Sequence, residues 1–160
     1  MNKLLLSIAL LAPSLFISAC SDEQKNTEKS IVEVSIMNTP VEMDAFMSMS
    51  EDDRIQVNGT SNLPNNTALL VTVTNGELKY LAQDKATILN GKFSAGPFGS
   101  NGSLKRGDYL IKVTMPVSSV QPKKVQKVIG DSGQHLKGDS VVDSLFAGNV
   151  VEKTFSYTVK

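Results

Sequence analysis

The sequence predicts an all-β fold, an antiparallel sandwich of about seven short strands, and three observations lead there. Short runs alternate apolar and polar residues with a period of two: Leu69, Val71 and Val73; then Tyr109, Ile111, Val113 and Met115; then Phe155, Tyr157 and Val159. That period places alternate side chains on one face of a pleated strand, where β-branched and aromatic residues pack well. Turn residues punctuate the runs, notably Asn75-Gly76 and Asn90-Gly91. Asn-Gly suits a two-residue hairpin because both central positions need positive φ. Finally, a single cysteine excludes an internal disulfide, so packing of apolar faces must hold the domain together.

Taken in order, residues 31–36 alternate, with Val32, Val34 and Ile36 on one face. Val41, Met43, Ala45, Met47 and Met49 alternate with Glu42, Asp44, Ser48 and Ser50, the pattern of a half-buried strand. Met43, Phe46 and Met47 also fit a short helix, so both forms stay open. Residues 54–60 direct Ile55, Val57 and Gly59 inward, and Leu63-Pro64-Asn65-Asn66 is a turn. Residues 68–74 form a strand that turns at Asn75-Gly76 and returns over 77–82. A second hairpin joins 86–89 to 92–95 around Asn90-Gly91. Val125, Val128 and Ile129 in 123–130 have helical spacing, with a strand beginning at Val125 as the alternative. Residues 131–149, rich in Gly, Asp and Ser, read as a long loop across one end of the sandwich. Val151, Phe155, Tyr157 and Val159 alternate in a last strand, so the chain is expected to end inside the sheet.

The sharpest fold signal is Leu104-Lys105-Arg106-Gly107-Asp108-Tyr109. This Leu-x-x-Gly-x-Tyr run resembles the tyrosine corner of Greek-key sandwiches, in which the phenol hydroxyl ties back to nearby backbone. With Asn90-Gly91-Lys92-Phe93, it is similar to bacterial immunoglobulin-like and carboxypeptidase-regulatory-like domains over residues 54–115. The resemblance implies an immunoglobulin-like fold. Leu104, Gly107 and Tyr109 are structural in it, and it implies no functional site.

The first 20 residues have the layout of an export signal: Lys3, an apolar run from Leu4 to Phe16, then small residues. The run is too short to span a bilayer, which takes roughly 20 apolar residues. Ile17-Ser18-Ala19-Cys20 resembles the lipobox of bacterial lipoproteins, whose peptidase cuts before the cysteine. The resemblance implies a diacylglyceryl thioether on Cys20 and, in many bacteria, an added N-acyl group. Ser21, in place of Asp, implies the outer membrane, facing the periplasm, where the source has two membranes. Residues 1–19 are thus read as signal peptide, 20–30 as lipidated cysteine and tether, and 31–160 as the sandwich. Residues 21–30 contain no apolar side chain and cannot fold alone.

Lysine plus arginine equals aspartate plus glutamate, so no net field draws the chain to nucleic acid or to an anionic surface. Gly130-Asp131-Ser132-Gly133 matches the tetrapeptide around a trypsin-like nucleophile, but the only histidine, His135, lies three residues past Ser132 with nothing to orient it. Gly138-Asp139-Ser140 invites comparison with lipases and has no histidine downstream. Both read as turns, and no enzyme is expected. Arg106-Gly107-Asp108 spells the integrin tripeptide, yet the corner already accounts for its glycine. Asn-x-Ser/Thr triplets at Asn58, Asn65 and Asn101 are turn residues in a bacterial lipoprotein.

Neither clustered Cys and His for zinc nor an alternating Asp/Asn loop for calcium occurs. Met37, Met43, Met47 and Met49 crowd one segment, and thioethers are soft ligands that suit Cu(I). Methionine also fills gaps in cores. No cofactor is expected beyond the lipid on Cys20, with Met43, Met47 and Met49 the candidates if a metal binds. The expected function is a non-enzymatic interaction or structural module, anchored to the envelope membrane by lipid and docking to an envelope protein. The alternative is a periplasmic Cu(I) carrier using the methionines.

Overall fold

A computed structural model of the chain describes residues 35–49, 54–99 and 104–160. The lipobox with Cys20, the 20–30 tether and residues 31–34 of the first expected strand lie outside the described residues. The elements are β1 (Met43–Met49), β2 (Ile55–Ser61), β3 (Ala68–Asn75), β4 (Tyr80–Thr87), β5 (Lys92–Phe98), β6 (Gly107–Met115), α1 (Lys123–Ile129), β7 (Val141–Ser144) and β8 (Gly148–Val159), with a 3-10 turn over Ser118–Val120. A three-stranded sheet runs β1-β2-β5 and a five-stranded sheet runs β4-β3-β6-β8-β7. All pairings are antiparallel. The chain crosses between sheets from β2 to β3, from β4 to β5 and from β5 to β6, as in an immunoglobulin-like sandwich.

Alternation explains the core. Leu69, Val71 and Val73 of β3 face Val57 of β2 and Phe93 and Ala95 of β5, and all are buried. In β6, Tyr109, Ile111, Val113 and Met115 are at most 1% exposed, so the strand has no tolerance for a slip in register. Ile55 pairs with Phe98 but Val57 pairs with Ala95, so β5 carries one extra residue at Gly96-Pro97. That bulge resets the inward parity and lets Phe98 bury its ring. Gly59 is needed for space: a Cβ there would overlap the Phe93 ring.

The corner is tied by one hydrogen bond. Tyr109 Oη donates to Lys105 O at 2.9 Å, and the Tyr80 ring meets Tyr109 edge-on, with centroids 5.8 Å apart. Gly107 enters β6 at φ 145, and a Cβ there would lie 2.9 Å from Asn75 Nδ2. Leu104 is buried beside them. Arg106-Gly107-Asp108 is therefore the entrance to a central strand and not a projecting turn. Asp108 Oδ1 accepts a hydrogen bond from Thr158 Oγ1 at 2.6 Å.

Four local expectations need correction. Of the strand expected over 31–36, the described residues 35 and 36 are not in a strand, and Ile36, expected inward, is 46% exposed while Met37 is buried. The Asn75-Gly76 hairpin is not a two-residue turn. Asn75 is buried, its Oδ1 accepts from Leu78 N at 2.9 Å, and Lys79 takes the positive φ, so the return strand starts at Tyr80. Asn90 and Gly91 do have positive φ, but only Leu89 and Lys92 pair across that turn, because β4 and β5 belong to different sheets. Finally, 131–149 is not all loop, since β7 pairs with the start of β8 and makes an eighth strand. Of the two forms left open at each place, 43–49 is strand and 123–129 is helix.

Polar groups close the end where β6 finishes. Both backbone groups of Ala68 pair with the Gln121 side-chain amide, at 2.8 and 3.0 Å. Ser118 Oγ donates to Gly130 O at 2.6 Å. Among the described residues, no buried side-chain nitrogen or oxygen lacks a partner.

Burial holds the Tyr109 phenol above its ordinary range, and Tyr80 adds to the rise. A phenol raised on folding contributes stability fully below its unfolded value of about 10, and that contribution is lost as pH climbs through the folded value. Tyr109→Phe removes the hydrogen bond and the titration together. Urea melts of the variant should show a loss of about 1 kcal/mol at neutral pH and a shallower decline at alkaline pH. An unchanged midpoint would contradict the role given to the hydroxyl.

Candidate functional site

The residues that suggested chemistry are mostly committed to structure. Ser132 Oγ donates to Gln134 Oε1 at 2.9 Å, and His135 Nδ1 lies 3.2 Å from Val128 O. Serine and histidine thus engage different partners within one turn-rich segment. Ser140 uses its carbonyl to accept from Glu152 N at 2.8 Å, supporting the edge of the five-stranded sheet. No group of three or more His, Cys, Asp or Glu side chains able to hold a metal is present among the described residues.

The methionines divide by face. Met43 and Met47 point inward from β1 with Ala45 and are 4% and 5% exposed. Met37 is buried as well, in the segment whose amide donates to Val128 O at 3.0 Å. Met49, one step past the covered part of the same row, is 65% exposed. Their thioethers are therefore not gathered around a shared opening. Cys20, the proposed lipidation site, lies outside the described residues.

The surface offers a different feature, an open groove of about 610 Å³ on the outer side of the three-stranded sheet, reaching the β4–β5 crossover. Phe46 stands on this face because its neighbours Ala45 and Met47 point inward, and it is 55% exposed. Leu89, 59% exposed, is held opposite by the tight turn that moves the chain from one sheet to the other. The floor is low because Ser94, on the outward phase of β5, has a short side chain. Lys85 and Lys92 flank the apolar residues, and no carboxylate lines the groove. On the far side of β1, Lys153 Nζ donates to Met43 O at 2.7 Å and ties that edge to β8. Gly96 N donates to Asp84 Oδ2 and Gly99 N to Tyr80 Oη, at 2.7 and 2.9 Å, and these bonds stitch β4 to β5. The groove thus sits on a braced face.

Sequence reasoning does not single out this surface. Phe46 enters it only within the helical alternative, and Leu89 only as the end of a strand. The signal in the residues themselves is that Phe46 falls on the polar phase of its own strand, among Asp44 and Ser48. An aromatic out of phase with the buried row must face water.

A packing role for the methionines predicts a graded series. Met47→Ala should cost about 2–5 kcal/mol and Met47→Leu under about 1.5, while Met49→Leu leaves the melting curve unchanged. Thermal melts of the three variants check this, and equal effects at positions 47 and 49 would contradict it.

Comparison of the chain with protein-family models, with curated proteins and with solved structures found no match.

Proposed function

We propose that the chain is a lipid-anchored cell-envelope protein, fixed to the outer membrane facing the periplasm through Cys20, whose sandwich is a non-enzymatic protein-interaction module. The anchor rests on the Ile17-Ser18-Ala19-Cys20 lipobox and on the lone thiol, which in an oxidising compartment needs either a partner or a modification. The observation that carries the module reading is the groove between Phe46 and Leu89. Large apolar side chains with low-entropy rings make good anchors at interfaces, and two flanking lysines without a carboxylate favour an acidic partner segment. The occupant this chemistry suits is an extended stretch of an envelope protein bearing an apolar side chain beside Asp or Glu. Non-enzymatic action agrees with the separate engagements of Ser132 and His135. The Cu(I) carrier is not favoured, because two of its three candidate ligands, Met43 and Met47, are packed in the core.

Two experiments test this reading. Cys20→Ala should accumulate as an unlipidated, uncleaved precursor, seen by mass spectrometry of whole membranes; normal cleavage of that variant would remove the lipoprotein assignment. A photo-crosslinking residue placed at Phe46 should capture one discrete envelope protein, and Lys85→Glu with Lys92→Glu should reduce the yield at least several-fold. The same probe at Leu110, exposed on the opposite sheet, is the reference. Equal capture from both positions would contradict a docking role for the groove.

A further inference from the structure

The β7–β8 hairpin ends in the most exposed apolar pair of the described residues: Leu145 is 87% and Phe146 is 99% exposed. Its base is braced. Ala147 N donates to Ser144 O at 3.0 Å, Asn149 N to Ser132 O at 2.8 Å, and Asn149 Nδ2 to Gly133 O at 3.2 Å. Gly148, at φ 82, has no room for a side chain against the Ser132 carbonyl. A supported stem therefore presents two large apolar side chains to solvent.

The position of the tip in the fold suggests what covers it. Met115 pairs with Val151 and Met43 with Ser61, so the tip, the end of β6 and the start of β1 share one end of the sandwich. The described chain enters at that same end: Met37 N donates to Val128 O at 3.0 Å and Val41 N to Lys137 O at 2.8 Å. Val120 is 62% exposed there, and α1 adds exposed Lys123, Lys124 and Lys127, with no carboxylate between Asp108 and Asp131. Lys123 Nζ donates to neutral Gln126 Oε1 at 3.0 Å. Glu42, Asp131, Asp139, Asp143 and Glu152 with Lys137 and Lys153 also stand near this end, so attraction to anionic headgroups is local to the helix and modest.

We infer that the Leu145 and Phe146 tip inserts into the phospholipid leaflet to which the chain is tethered, orienting the domain with this end toward the membrane. The inference rests on the reading that Cys20 carries lipid. Two apolar side chains are too little to recruit a protein from solution. The segment from Cys20 to Ser35 spans at most about 50 Å, so an anchored domain meets the leaflet at a high effective concentration and weak insertion becomes populated. Phe46 itself lies midway along β1, opposite Asn58, on the side of the sandwich, whereas Leu89, just past the Ala68–Thr87 pair, belongs to the same end as the tip.

The chain lacks tryptophan and has one cysteine, which makes a clean test. Mature protein, residues 20–160, is coupled through the Cys20 thiol to maleimide-headgroup lipid in phosphatidylethanolamine–phosphatidylglycerol vesicles. Attachment is thereby supplied chemically; failure of native lipidation would appear in the mass spectrum of the cellular protein and would not affect this result. With Phe146→Trp, and separately Leu145→Trp, the emission should shift to the blue on coupling and be quenched by doxyl-labelled lipid. Leu81→Trp, on β4 and well exposed, should keep its aqueous emission and escape quenching. Aqueous emission from both tip variants on coupled vesicles would overturn the inference, as would equal quenching at position 81.

Discussion

The register of β6 is the constraint on which the rest of this molecule depends. It is the central strand of the five-stranded sheet, with β3 on one side and β8 on the other, and its four inward residues are almost completely removed from water. A slip of one residue would turn Tyr109, Ile111, Val113 and Met115 outward together and leave Asp108, Lys112 and Thr114 facing the core. Where the strand begins is set at the corner, by Gly107, by the space Asn75 leaves for it, and by the phenol bond to Lys105. With one cysteine and so no internal disulfide, this pinning does what a covalent link does in many sandwiches.

The ends follow from that register. Because Met115 pairs with Val151, the hairpin preceding β8 must emerge where β6 stops, beside the 3-10 turn and α1. The Gln121 amide caps the start of β3 there, and the segment leading into β1 lies against the residues after α1. One end of the sandwich thus collects the incoming chain, the short helix and the exposed Leu145 and Phe146. Burial and exposure divide the same way on β1, where Met43 and Met47 fill the core and Phe46 faces water. Ser132, His135 and Asp108 of the suggestive motifs each engage a local partner at a turn or strand entrance.

How much of this was legible depended on the range of the forces involved. Strands with three or four inward residues, such as β3 and β6, announce themselves, because a period of two held over a whole strand fits no helix. The Leu104 to Tyr109 run was equally plain, since its glycine and tyrosine act locally. β7 was hidden: Val141 and Val142 are too short a run to show alternation, and the strand exists because β8 extends past Val151 and offers it an edge. Asn75-Gly76 misled because the asparagine side chain is spent on Leu78 N instead of on a tight turn. Asn90-Gly91 indicated a turn correctly but not that its two strands part into different sheets, which only the distribution of burial decides. The groove was invisible for the same reason, since Phe46 and Leu89 are brought together by tertiary packing.

Native-state hydrogen exchange, followed residue by residue in increasing urea, tests the role of β6 most directly. The amides of residues 109–115 should exchange only through global unfolding, with the full denaturant dependence of the domain, and should outlast those of β1 and β7. Exchange of β6 through small local openings, while β1 remains protected, would contradict the account.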